Sequence, residues 1–90
     1  APEMPPYLVV APNPAASWAT FTYTITTEIN NAQVRVLDTG GREVADLLIR
    51  AQQGELLWDT REVPAGLYTV ELINNGARLT TERLVVHPTR

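Results

Sequence analysis

Ninety residues of 44% hydrophobic content make one globular domain, too apolar for disorder and too short for a second core. The chain has no cysteine and no lysine, which excludes disulfides, thiolate chemistry and lysine chemistry. Its net charge of −3, with arginines scattered singly among acids, argues against a nucleic-acid partner.

No apolar run approaches the ~20 residues of a membrane helix, and no signal-peptide pattern opens the sequence. The proline-rich residues 1–7 read as a leader, and the start at Ala1 looks like an excised piece of a longer protein.

Seven strand-like segments follow. Leu8 to Ala11 is the first, and Pro12-Asn13-Pro14 ends it in a turn. The second, Trp18 to Thr26, has the cleanest period of two. Ala19, Phe21, Tyr23 and Ile25 fall on one face, with Trp18, Thr20, Thr22 and Thr24 on the other. After a turn at Asn30-Asn31, Gln33 to Asp38 aligns Val34 with Val36. Thr39-Gly40-Gly41 then supplies a tight hairpin.

Arg42 to Arg50 is the fourth segment. Val44 and Leu48 share a parity that Leu47 and Ile49 break, which a bulge near Asp46 would reconcile. A helix is the competing reading only there, and a clean N-cap is missing. Gln52-Gln53-Gly54 reads as a loop, then Glu55 to Asp59 brings Leu56 and Trp58 to one face, which predicts a buried Trp58. Val63-Pro64-Ala65-Gly66 turns into Leu67 to Asn74. Apolar residues occur there in both parities, as in a central or doubly covered strand. Asn75-Gly76 is a strong hairpin signal, and Ala77 to Val86 directs Leu84 and Val86 inward. Seven short strands separated by regular turns predict an all-β, seven-stranded immunoglobulin-like sandwich.

Catalytic chemistry finds little support. The single serine, Ser17, lacks a nucleophile-elbow pattern, and the single histidine, His87, has no partners for a zinc site. Asp38 with Glu43, and Asp59 with Glu62, are the nearest carboxylate pairs. Neither has the dense alternation of a calcium loop, and both aspartates read as turn caps. No catalytic residue, metal or cofactor is therefore expected. Trp18, on the threonine face, is a candidate platform for a sugar ring, although aromatic side chains in a small domain more often pack its core.

Taken in order, the turns resemble the type A C-terminal sorting domain of type IX secretion cargo proteins. The resemblance runs from Pro12, Asn13 and Pro14, through the D-x-x-G-x-x-V turn at Asp38, Gly41 and Val44, to Gly54 before the fifth strand. It continues with Gly66 and Tyr68 in an sGxY-type strand start, the hairpin Gly76, and Arg83-Leu84-Val85-Val86 as a final K-x-V-V strand. Arg83 stands where that family usually has lysine, and His87 to Arg90 extends past its usual end. The immunoglobulin-like module of flagellar-hook capping proteins shares several turns. The short connection from Trp58 to Gly66 and the lack of a second Trp-Asp-Gly turn separate the two.

The resemblance implies a sorting domain over 8–86, a tail over 87–90, and a non-enzymatic monomer fused to a cargo such as a hydrolase. It implies passage through the periplasm to the cell surface or medium, with a secretion translocon and a sortase-like peptidase as partners. Arg83, Leu84, Val85 and Val86 would form the translocon recognition segment, along a last-strand edge with free main-chain groups. Gly41, Gly66 and Tyr68 would hold the fold. A carbohydrate-binding module or an immunoglobulin-like spacer of a secreted hydrolase is the alternative.

Overall fold

The computed structural model describes residues 5–87; most of the expected leader and the end of the expected tail, residues 1–4 and 88–90, lie outside them. Seven strands form two antiparallel sheets: β1 (Tyr7–Ala11), β2 (Trp18–Thr24), β3 (Gln33–Leu37), β4 (Glu43–Leu48), β5 (Gln53–Asp59), β6 (Gly66–Asn74) and β7 (Ala77–Val86). One sheet has the order β1-β2-β5, the other β4-β3-β6-β7. The fourth segment is a strand, and no helix occurs among the described residues. The fold is a β-sandwich of the immunoglobulin-like kind.

Period-two patterning places the core. Ala19, Phe21 and Tyr23 of β2 face Val34 and Val36 of β3, Tyr68, Val70 and Leu72 of β6, and Leu84 and Val86 of β7, all buried in one cluster. Trp58 of β5 is buried at the junction of the sheets. Its ring centroid lies 6.1 Å from that of Phe21 and 6.1 Å from that of Tyr68, the latter nearly edge-on at 79°. The Tyr68 hydroxyl donates to the Pro64 carbonyl at 2.7 Å. This is the tyrosine corner of immunoglobulin-like sandwiches, which pins the start of the sixth strand to the turn before it. Burial, and secondarily the Asp38 charge, raises the Tyr68 pKa and keeps the hydroxyl a donor.

Two expectations require correction. Gln53 and Gly54 belong to β5, paired with Thr24 and Tyr23. The ladder with β2 overrides glycine's turn preference. A Cβ on Gly54 would lie 3.4 Å from the Tyr23 hydroxyl, which itself donates to the Ala51 carbonyl. The bulge in β4 falls at Val44, not near Asp46: Leu37 pairs with Glu43 while Val36 pairs with Ala45. Irregularity is absorbed next to the hairpin, and from there Ala45, Leu47 and Ile49 turn inward while Val44 and Leu48 stay exposed.

β6 is central, between β3 and β7, which explains its apolar residues in both parities. Its outer face also carries the buried Glu71. One carboxylate oxygen accepts from Arg35 Nε and Nη2 at 3.2 and 3.0 Å, the other from Arg78 Nη1 at 3.2 Å. Asn75 and Gly76 have φ of 54° and 76°, as their hairpin requires.

Tyr68→Phe leaves the Pro64 carbonyl without its partner and is expected to cost about 1 kcal/mol. Urea unfolding should show a lower midpoint at unchanged slope.

Candidate functional site

The Pro12-Asn13-Pro14 turn lies against the edge of β7 that faces away from β6. Prolines have no amide hydrogen, so the turn's own main chain can offer little there. The Asn13 side chain substitutes, because its amide carries one acceptor and a donor group much as a peptide unit does. Nδ2 donates to the Arg83 carbonyl at 3.1 Å, and Oδ1 accepts from the Val85 amide at 3.0 Å. Ala15 continues the seam: its amide donates to the Val85 carbonyl and its carbonyl accepts from the His87 amide, each at 2.8 Å. A short parallel bridge between Ala15 and Val86 results.

The expected recognition segment therefore splits. Leu84 and Val86 are buried in the core, while Arg83 and the 41% exposed Val85 face solvent. The edge expected to be open is occupied from Arg83 to His87 by Asn13 and Ala15. The turn was legible in the sequence; its side-chain pairing with a strand 70 residues away was not. The only signal is an asparagine held between two residues that cannot donate. On the sheet face, Val85 is paired with the exposed Leu67 and Arg83 with Thr69, so an arginine borders a small apolar patch.

The remaining motif residues are structural. Asp38 Oδ1 accepts from the Gly40 and Arg42 amides, both at 2.9 Å, and these contacts hold its carboxyl below the usual range, the Arg42 amide first. Gly41, at φ 84°, supplies the left-handed step of that turn. Gly66 opens β6 opposite Val86, and Val44 is the bulge residue.

Trp18 is 54% exposed at the start of β2 and borders a shallow hollow of about 310 Å³ with Ser17, Leu57, Asp59 and Arg61. Asp59 Oδ1 accepts from the Arg61 amide at 3.0 Å, and its two oxygens grip Nε and Nη2 of the same arginine. No group of three or more His, Asp or Glu side chains converges as a metal site among the described residues.

Comparison with known families places the chain. The sequence profile of the secretion system C-terminal sorting domain matches residues 9–87. The chain belongs to this family. The match makes it a type IX secretion sorting domain and covers every strand, from within β1 to the end of β7. The crystal structure of dimeric latent PorU from Porphyromonas gingivalis is similar over 96% of this chain, with a TM-score of 0.72 and 21% identity. At that identity the likeness establishes fold, and this chain spans 10% of the length of the PorU chain. Comparison with the curated proteins gave no match.

Two predictions follow from the geometry. Asn13→Ala removes both side-chain bonds to β7 and is expected to cost about 1–2 kcal/mol, with faster amide hydrogen exchange at Val85 than at core amides of β6. Asp59 has its pKa lowered from 3.8 to about 2, first by the Arg61 side chain and then by the Arg61 amide. A depressed carboxylate pKa stabilises the fold above the unfolded value, and that contribution is lost as pH falls through about 2. NMR titration of the Asp59 carboxyl carbon should give that midpoint, and Arg61→Ala should move it upward.

Proposed function

We propose that this sorting domain is a non-catalytic signal and attachment module that directs a fused upstream cargo across the outer membrane. The cargo would cross the periplasm, and a sortase-like peptidase would remove the domain as the cargo is anchored at the surface or released. The observation that supports this reading is the family match over residues 9–87, which ends one residue past β7. Near the end of that strand Arg83 and Val85 are exposed, with Val85 paired to the exposed Leu67.

On this reading the translocon reads a face rather than an open edge. Leu84 and Val86 act by holding β7 on the core, so that Arg83 and Val85 sit at fixed positions. The guanidinium supplies directional donors, and the Leu67–Val85 pair supplies a small apolar contact. A sheet face of this kind offers affinity without a deep pocket.

Deleting the last strand would also remove Leu84 and Val86 from the core, so loss of export after deletion would not separate recognition from folding. Substitutions that leave the core intact do separate them. A reporter fused to the domain should reach the surface of a type IX-competent host. The combined Arg83→Glu and Val85→Glu variant should reduce surface delivery about tenfold, equivalent to about 1.4 kcal/mol of docking. The purified variant should retain the circular dichroism and unfolding cooperativity of the parent. Undiminished delivery of a folded double variant would refute recognition at this face.

A further inference from the structure

The outer face of the three-stranded sheet is used by none of the features above. Its layout follows from the strand registers. Tyr7 pairs with Thr24, Val9 with Thr22 and Ala11 with Thr20, while Thr20 pairs on its other side with Leu57 and Trp18 pairs with Asp59. A central stripe of three threonines thus runs between an exposed tyrosine at one end and an exposed tryptophan at the other. The stripe is on the order of 20 Å long at the rise of an extended strand.

Four of the large apolar side chains left exposed lie on this face: Tyr7, Val9, Leu57 and Trp18, the last two 65% and 54% exposed. Buried indole dominates core energetics, and Trp58 already fills that role, so Trp18 contributes little to the fold where it stands. It is flanked on both sides. One hollow carries Leu57 with Asp59 and Arg61, and a smaller one carries Pro12 and Ala16.

We propose that this face binds a neutral oligosaccharide, with Trp18 stacking on the apolar face of one pyranose ring. The ligand class follows from shape and charge together. A sugar ring is flat and apolar on its C–H face and carries hydroxyls around its rim. The hollow matches both parts, with an indole and Leu57 below and a fixed polar pair at the edge. Asp59 and Arg61 neutralise each other in a bidentate ion pair, so the rim offers hydrogen bonds without net charge. Glu55 and Glu62 are the nearest other charges on β5 and its following turn, and they disfavour an anionic ligand. The threonine hydroxyls extend the polar line away from Trp18, and Thr22 is already oriented by its bond to Glu55. A linear chain of several rings fits that line better than a single sugar.

The two tryptophans make the test internally controlled. Cellohexaose, xylohexaose and mannohexaose are each titrated into isotope-labelled domain, and both indole Nε1–H signals are followed by NMR. At least one hexamer should shift the Trp18 indole and the Thr20 and Thr22 amides saturably, with the buried Trp58 indole unmoved. Trp18→Ala should weaken the binding at least tenfold, read at the threonine amides, and Arg61→Ala should weaken it less. Trp18 is exposed, so its replacement should leave the unfolding midpoint unchanged. Three outcomes would overturn the proposal: no saturable shift with any of the hexamers, equal binding by Trp18→Ala, or tighter binding of an oligogalacturonate than of the neutral hexamers. The proposal does not rest on the sorting function, and failure of either leaves the other standing.

Discussion

The seam between the Pro-Asn-Pro turn and β7 is the constraint on which the presented surface depends. The turn belongs to the three-stranded sheet and β7 to the four-stranded one, so four hydrogen bonds join the two layers at their margin. They also saturate the main chain of β7 where an exposed strand would otherwise invite pairing with another chain. With the edge filled from Arg83 to His87, what β7 offers outward over that stretch is side chains. Leu84 and Val86 are committed to the core, and alternation leaves Arg83 and Val85 to the solvent.

Behind the seam, a small number of large side chains align the layers. Phe21, Trp58 and Tyr68 form a short aromatic row that crosses from one sheet to the other. The tyrosine corner then fixes where β6 begins, and β6 fixes β7 by a ladder that runs from Gly66–Val86 to Asn74–Ala77. At the far end, the buried Asn74 accepts from the Asn30 amide and donates to the Glu28 carbonyl, which ties the connection between β2 and β3 to the β6–β7 hairpin. On the outer face, Glu71 is held between two arginines. Removing either would leave a buried carboxylate short of a partner, which costs more than a surface ion pair contributes.

Legibility in the sequence followed the range of the interactions. Trp18 to Ile25 could be read because alternate burial leaves a local imprint, and Asn75-Gly76 because a hairpin demands positive φ from adjacent residues. Gln53 and Gly54 could not, since their place in β5 is set by pairing with Thr24 and Tyr23, which lie far away in sequence. The position of the bulge at Val44 depends on the partner strand and leaves no local mark. Asn13 shows the limit most clearly. The residue stood out as part of a turn, while its partners lie 70 and 72 residues further on. The exposed Trp18 was legible from its phase with the threonines, but the Asp59–Arg61 pair beside it was not, because β2 and β5 meet only in the folded sheet.

The distance along the chain between Asn13 and Val85 also orders events in time. A polypeptide is made from its N-terminus, so the turn, the three-stranded sheet and most of the core residues exist before the strand that closes the seam. Contacts of such long sequence separation form slowly, because loop closure must precede any reward. Until β7 arrives, β6 is an uncovered strand in a half-built sheet, and Asn13 has nothing to hold. The surface that carries Arg83 and Val85 is thus complete only once the chain before it has been made through to residue 87.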